Sequence, residues 1–336
     1  FEATQHLPGE EGLDIFLNAL ADAGVPLDTV DGLRRTTRLF DRVVERHSGD
    51  RATLDLILDG MGAASPTRLE QSRKMAFRGN SGVWGIQARA RMTTFIVAPT
   101  PGSPETVDLA LLGGMFDVRR LRPHITWPIF YPRTYRQDGT VVEGAPDEPL
   151  DPSLADPQGP MLIREFCSPN MPEIRVRRAR AGHVYEFGPG PVGNTGAFSM
   201  VFGMITRGQV GRFKTPEDAT GESTTQITLP TGVVQFDVMI HRDLRFGLPE
   251  AAVVGRVSVP NGEDDFHEIP IAEQPRELTG RPPMISSTLF PRYEEMVGLA
   301  LARGGWSLGD FAVHRLVVQY PPMHSAVRVR FGLEER

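Results

Sequence analysis

Three side chains in the last quarter of the chain have the types and spacing of a metal site. His267 and Glu273 lie six residues apart, and His314 follows within the apolar run at residues 311–320. Residues an even number apart on one strand face the same side, so His267 and Glu273 would both point into a β-barrel if their strand stays regular or bends once. Two histidines and a carboxylate on one face leave positions open on Fe(II) for substrate and O2. The alternative is that His267 lies in a loop and His314 is a core histidine.

A second set begins at His241 and Asp243, which have the His-x-Asp spacing of 2-oxoglutarate-dependent iron oxygenases. In that arrangement His314 or His324 would complete the iron site, and Arg328 would hold the cosubstrate carboxylate through two parallel hydrogen bonds. The three-residue pattern is short and arises often by chance. The alternative is that His241 and Asp243 occupy a polar turn after the strand that precedes them.

A glycine-rich stretch at residues 188–193 matches the letters of the dinucleotide-binding fingerprint. That fingerprint must open a helix whose N-terminus holds the pyrophosphate. Pro189 and Pro191 bias the residues before them away from helical conformation. The stretch therefore predicts a tight β-turn, and no cofactor-binding residues are expected there.

Composition excludes several further classes of protein. The chain has 336 residues, 40% of them hydrophobic, and a net charge of −6, which fits a globular protein without a general basic field for nucleic acid. Its one cysteine, Cys167, excludes an intrachain disulfide and a cysteine-rich zinc site, and is expected to be a buried structural thiol. No apolar run reaches the roughly 18 residues of a membrane span and no signal peptide is visible, so a cytoplasmic location is the default expectation.

Residues 1–78 have the pattern of a helical segment. Leu13, Leu17 and Leu20 recur at helical spacing, and Gly24 follows as a stop signal. Three further helices are predicted, at residues 31–47, 52–61 and 66–77.

From residue 79 to residue 336 the pattern becomes that of short strands separated by turns. The chain has 35 glycines and 29 prolines, which is typical of a β-rich body. Strands are predicted at residues 92–97, 125–131, 174–176, 183–187, 197–205, 225–229, 233–240, 311–320 and 325–331. A late helix is expected at residues 292–303. The fold class predicted is mainly β, a cupin-like β-barrel or sandwich with an N-terminal helical segment. It could hold two β modules, separated by the acidic, proline-rich residues 137–160.

The surroundings of His267 resemble a first cupin motif. That motif has a glycine, two histidines at alternate positions, a glutamate four residues on and a final glycine seven beyond it. Gly262, His267, Glu273 and Gly280 fall on this pattern, with the first glycine one residue closer than usual. Ile269 stands where the motif has its second histidine.

Four other stretches resemble the large subunit of the two-subunit hydroquinone 1,2-dioxygenases, which are cupin-type, non-haem iron, ring-cleaving enzymes. They are FCSPNMP at residues 166–172, GPVGNTG at 190–196, FPRYEEMV at 290–297, and Gly305-Trp306. The resemblance covers most of residues 80–336. It implies Fe(2+) as the cofactor and places the metal site within residues 260–320.

In that family the iron ligands are a histidine, an asparagine two residues on, a glutamate four beyond that, and a second histidine about 47 residues after the first. These intervals fall on His267, Ile269, Glu273 and His314. Three of the four residue types match. Isoleucine cannot bind iron, so the resemblance implies a site that keeps only the two histidines and the glutamate.

The resemblance further implies that a hydroquinone-type aromatic diol is opened by O2 to a hydroxymuconic semialdehyde. His241 or His124 would take the phenol proton. It also implies a small second subunit in a hetero-oligomer, with no role for nucleic acid or a membrane. Candidates for the wall of the substrate pocket are Trp127, Tyr131, Trp306 and Tyr320, each of which also fits a plain core position.

Two other functions stay open on the sequence. One is a 2-oxoglutarate-type iron oxygenase that uses His241, Asp243 and His314. The other is a non-catalytic β-sandwich that serves as a structural or binding partner and has a degenerate metal site. Ile269 is the main support for the last of these.

Overall fold

The computed structural model describes residues 10–61, 66–130, 147–153, 161–179, 182–216, 219–258 and 264–336. The chain divides into two compact units, Phe1–Arg68 and Leu69–Arg336. None of the helices in the described ranges is long and apolar enough to cross a membrane.

The first unit is helical, as the leucine spacing predicts. Its helices are α1 (Glu10–Asp22), α2 (Leu27–Ser48) and α3 (Arg51–Met61), and α4 (Pro66–Trp84) begins at its end and continues into the second unit. Leu17, Val30 and Val44 are buried. Gly49 ends α2 with a φ of 83°, a conformation that glycine adopts without strain, and its N–H donates to the carbonyls of Val44 and Glu45.

The second unit is mainly β. Its strands, in chain order, are β1 (Ile86–Pro99), β2 (Val107–Arg120), β3 (Trp127–Phe130), β4 (Glu148–Pro149), β5 (Ile174–Ala179), β6 (Gly182–Phe187), β7 (Phe198–Gln209), β8 (Thr220–Gln226), β9 (Thr231–His241), β10 (Glu250–Ser258), β11 (Asp264–Ile269), β12 (Arg276–Glu277), β13 (Phe311–Gln319) and β14 (Ser325–Gly332). One helix, α5 (Tyr293–Gly304), lies near the C-terminus, where a late helix was expected.

The strands form three sheets. The largest has seven strands in the order β12-β13-β9-β1-β2-β7-β4, in which only the β1–β9 pair is parallel among the described pairings. A four-stranded sheet has the order β11-β10-β14-β8, and a three-stranded sheet has the order β3-β6-β5. Each described sheet has two edge strands and none closes into a barrel. The predicted mainly β class and helical N-terminal segment are confirmed, whereas a closed barrel is not.

Two apolar cores position the candidate residues. Phe236 and Val318 of the seven-stranded sheet share a core with Val253 and Val327 of the four-stranded sheet, so these two sheets pack face to face. The other side of the seven-stranded sheet is covered by α5, through side chains such as Met296, Val297 and Ala300.

Strand β2 has no counterpart among the predicted strands, although it lies near the centre of the large sheet. Its Gly113-Gly114 pair resembles a turn signal in the sequence. In the structure, a Cβ at Gly113 would lie 2.4 Å from the ring of Phe202 on β7. Glycine therefore leaves room for the Phe202 ring in this strand, and a larger residue would force that ring to move.

Candidate functional site

The strand that carries His267 ends before it reaches Glu273. His267 lies opposite Gly255 in the β10–β11 pair, and β11 ends at Ile269, immediately before Pro270. Proline lacks the N–H that a further ladder bond would need. The condition that one regular strand carries both His267 and Glu273 is therefore not met. The His267 side chain is exposed, at the edge of the four-stranded sheet.

Glu273 forms an ion pair with Arg73 of α4. Arg73 donates from Nη2 to Oε1 at 2.5 Å and from Nη1 to Oε2 at 3.3 Å, and the side chains are 5% and 23% exposed. The backbone N–H of Ala272 donates to the same carboxylate at 3.1 Å. Burial raises the pKa of Glu273, but the hydrogen bonds and positive charge of Arg73 outweigh burial and hold this pKa below its usual value. The carboxylate is thus ionised, with both of its oxygens hydrogen-bonded.

His314 is buried in the other sheet. It lies on β13, opposite Val238 of β9 and Glu277 of β12, and its residue is 7% exposed. By strand alternation it shares a side with Leu316 and Val318, which face the four-stranded sheet. Burial lowers the pKa of His314, and the charge of Glu277 opposes this effect only in part. The imidazole is therefore neutral at pH 7.

These three residues do not assemble into a facial metal site. His267 and His314 belong to different sheets, and Glu273 lies in the segment between β11 and β12 with its carboxylate on Arg73. Within the described ranges, no group of three or more His, Cys, Asp and Glu side chains is placed to hold a metal ion. Ile269 packs against the core between the two sheets. The residues present therefore do not fit a bound iron in this arrangement.

His241 and Asp243 occupy a turn at the end of β9. The N–H of Asp243 donates to Nδ1 of His241 at 3.2 Å, and the Asp243 carboxylate lies 3.7 Å from the same nitrogen. This is the polar turn offered above as the alternative to an oxygenase motif. Arg328 lies on β14 of the four-stranded sheet, where its Nε is 3.4 Å from the carboxylate of Glu222.

The remaining histidine candidates, His124 and His324, lie in turns outside the strands. His124 is exposed, in the segment between β2 and β3. His324 follows β13 and packs edge-on against the ring of Trp84, with the ring centroids 5.8 Å apart. Ser325, the residue after His324, lies opposite Gly255, and Gly255 lies opposite His267, so strand β10 separates His324 from His267.

The predicted pocket residues contribute to separate clusters. Trp127 is 8% exposed and packs edge-on against Trp84 with a centroid distance of 5.6 Å. Trp306 packs against Phe311 near α5, and Tyr320 packs against Phe77 of α4, with centroid distances of 6.1 and 5.5 Å. Tyr131 lies outside the described residues. Trp127 belongs to a buried core, Trp306 is half-buried against another core, and Tyr320 is half-buried outside both.

Trp127 has one feature that a plain core residue lacks. Its indole Nε1 is buried and has no hydrogen-bond partner among the described residues. An indole N–H usually finds a partner when it is buried.

A buried polar cluster beneath α5 was not singled out in the sequence. Asp237 of β9 lies opposite Arg315 of β13, which donates to both of its carboxylate oxygens at 2.9 and 2.7 Å. The hydroxyl of Tyr293, the first residue of α5, donates to the same carboxylate at 2.6 Å, and Thr94 lies 2.8 Å from that hydroxyl. A side-chain amide, that of Gln235, bridges Arg315 and Ser287 at 3.2 and 2.7 Å.

This buried cluster has a structural role. Burial raises the pKa of Asp237, opposed by the hydrogen bonds and charge of Arg315, and burial together with Asp237 raises the pKa of Tyr293 well above its usual value. Tyr293 therefore stays protonated and donates. Arg315 also donates to the carbonyls of Ser286 and Ile285 at 2.6 and 2.9 Å, so the cluster joins α5 and its preceding segment to the sheet. The signal available in the sequence was a charged residue inside each of two apolar strands, since such charges are seldom buried without a partner.

Neither a comparison with protein-family models nor one with curated proteins finds a match to this chain. The resemblance to ring-cleaving dioxygenases therefore rests on the residues quoted above.

Proposed function

We propose that this chain is a non-catalytic β-sandwich protein that acts as a structural or binding subunit. The observation that carries the proposal is the ion pair between Glu273 and Arg73. A carboxylate that ligates iron must direct an oxygen lone pair at the metal, whereas Arg73 orients both oxygens of Glu273 toward its own guanidinium. The only acidic member of the expected ligand set therefore has a structural partner of opposite charge.

The position of Ile269 supports the same proposal. It stands where the family's ligand set has an asparagine, and its side chain packs against the core between the two large sheets. A Cβ at Gly255, on the neighbouring strand, would lie 3.3 Å from the end of the Ile269 side chain. An apolar packing role accounts for isoleucine at a position where a ligand would have to be polar.

A metal analysis of the purified full-length chain tests this proposal. The iron content of the wild-type protein is compared with that of His267→Ala, Glu273→Ala and His314→Ala, with His124→Ala as a surface control. We expect iron well below one atom per chain and the same in all five proteins. About one iron per chain that is lost in the first three variants and kept in the control would contradict the proposal.

The second candidate is a subunit of an Fe(II)-dependent dioxygenase that opens hydroquinone-type diols with O2, together with a small second subunit. It is favoured by three matching residue types at the family's intervals, and by a His314 imidazole that burial keeps neutral, as a metal ligand must be. Oxygen uptake with hydroquinone and no added 2-oxoglutarate, by iron-loaded protein, would support it. Uptake that requires 2-oxoglutarate and is lost in His241→Ala or Asp243→Ala would instead support the oxygenase with that cosubstrate.

The variant Arg73→Met separates the first two functions. It removes the cation that holds Glu273 and leaves all three expected ligands in place. If these residues form an iron site in competition with Arg73, the iron content of the variant should rise toward one atom per chain. If the chain is non-catalytic, the iron content stays at the wild-type level.

A further inference from the structure

The first unit exposes an unusual amount of apolar surface. Nine large hydrophobic side chains in the described part of this unit are at least 41% exposed, namely Ile15, Phe16, Leu27, Leu33, Leu39, Val43, Leu56, Ile57 and Leu58. Single exposed apolar residues are ordinary, but clustered ones mark an interaction surface. The charges beside them indicate what that surface binds.

From Arg35 onward, the outer side of α2 is basic and apolar, while Asp28 and Asp31 lie on the same side in its first turns. Arg35, Arg38, Arg42 and Arg46 are all exposed, and within the described ranges no ion pair joins any of them to an acidic side chain. At about 100° per residue they lie along one edge of the helix, beside Leu39 and Val43, which are 55% and 48% exposed. The buried residues Val30 and Val44 lie on the opposite side, which packs within the unit.

The outer side of α1 has the opposite charge. Its sequence, EEGLDIFLNALAD, contains no lysine or arginine. Glu11 and Asp22 are exposed, and Ile15 lies beside them, 65% exposed, on the side opposite the buried Leu17. Asp14 is also exposed, but its carboxylate lies 4.0 Å from Nε of Arg34 on α2 of the same chain. Phe16 is 53% exposed next to Ile15. This face matches the outer side of α2 in its apolar content and complements it in charge.

We propose that this surface binds a second copy of the same chain. In a two-fold dimer the acidic outer side of α1 from one copy lies on the basic outer side of α2 from the other, and the same contact occurs a second time. One chain that carries both complementary faces meets the requirement of an isologous interface. The apolar side chains supply the buried centre, and the charges fix register and orientation.

The charge balance argues against a polyanion as the occupant. Residues 1–68 contain twelve acidic and seven basic side chains, and the whole chain has a net charge of −6. A nucleic acid or an anionic membrane drawn to the arginines of α2 would be repelled by the carboxylates of the neighbouring α1. A second copy places those carboxylates opposite the arginines.

The experiment measures the mass of the full chain in solution by sedimentation equilibrium, over a range of protein and salt concentrations. The wild-type protein should have twice its monomer mass of 37.0 kDa and dissociate as salt rises. Arg38→Glu/Arg42→Glu and Glu11→Lys/Asp22→Lys should each be monomeric, because each brings like charges together. Arg242→Glu/Arg245→Glu, a reversal of two exposed arginines in the second unit, should remain dimeric.

An equimolar mixture of the two reversed variants provides the decisive measurement. Both contacts of the mixed dimer again join opposite charges, so dimers should reappear, and their return shows that each variant is folded. A monomeric wild-type protein, or a dimer that survives either reversal, would overturn the proposal. So would a mixture that stays monomeric while circular dichroism shows that both variants are helical. The outcome is independent of whether the second unit binds iron.

Discussion

Arg73 and Glu273 are 200 residues apart in the chain, and their side chains form a two-fold hydrogen-bonded ion pair. The pair joins α4 to the segment between β11 and β12 in the second unit. The spacing of Glu273 in the sequence is that of a metal ligand. In the structure, its carboxylate instead holds helix α4 in place through Arg73. With the cation 5% exposed, loss of either partner leaves a poorly solvated charge.

Glu273→Gln should lower the free energy of unfolding at pH 7 by about 1–3 kcal/mol, because it leaves the buried guanidinium without its counter-charge. The native pKa of Glu273 lies below its unfolded value. Its contribution is therefore complete above the unfolded pKa of about 4.3 and is lost as pH falls through the native pKa. Urea denaturation from pH 7 to pH 3 should show a smaller loss of stability in the variant. Glu268→Gln, at an exposed position on β11, is the control and should behave as the wild type.

Arg315→Met should destabilise the protein by about 3–5 kcal/mol, because it leaves the carboxylate of Asp237 buried without a counter-charge. Asp237→Leu combined with Arg315→Met should cost less than the sum of the single variants, since it removes both charges from the interior. Thermal and urea denaturation measure both effects. Arg330→Met removes an arginine from an exposed ion pair with Glu222 and should change stability by less than about 1 kcal/mol. Equal losses in Arg315→Met and Arg330→Met would contradict a role for the buried cluster.

Because His314 is buried, the free energy of unfolding should fall on mild acidification. Because burial lowers its native pKa below the unfolded value of about 6.5, its contribution is complete above that pH and falls as pH drops through the native pKa. His314→Gln should flatten the decline in unfolding free energy between pH 7.5 and pH 5 (from about 1 unit above 6.5 to about 1.5 units below it). His124→Gln, at an exposed position, should leave the decline as it is in the wild type. An unchanged profile in His314→Gln would show that this histidine does not titrate with folding.

Gly196→Ala should destabilise the protein by about 1–3 kcal/mol, through overpacking. A Cβ at this position would lie 2.1 Å from the carbonyl oxygen of Pro191, which a rigid backbone cannot accommodate without moving. Gly79→Ala is the matched control, because no atom lies within 4 Å of its Cβ position on α4. That variant should gain roughly 1 kcal/mol, since alanine favours a helix more than glycine does. A neutral Gly196→Ala would indicate that the 188–196 segment rearranges freely.

Local pattern was sufficient for much of the fold. The leucine spacing from Leu13 to Leu20 predicted α1, and an apolar run predicted β13, because each pattern depends on neighbours within one or two turns or a few strand residues. Where the local pattern fitted two kinds of structure, it did not predict the right one. Gly113-Gly114 resembled a turn, yet it lies inside β2, since only contact with Phe202 on another strand shows why glycine is needed there.

The candidate site shows more clearly which features local sequence determines and which depend on tertiary contacts. By itself, the sequence determined which side chains could bind a metal, the intervals between them, and the absence of a polar group at Ile269. Only the tertiary structure decided that His267 and His314 lie in different sheets and that Glu273 is bound to Arg73. The physical reason is that residue spacing constrains geometry only along one continuous element. Sheet membership and the choice of an ion-pair partner depend on contacts between residues that are far apart in the chain.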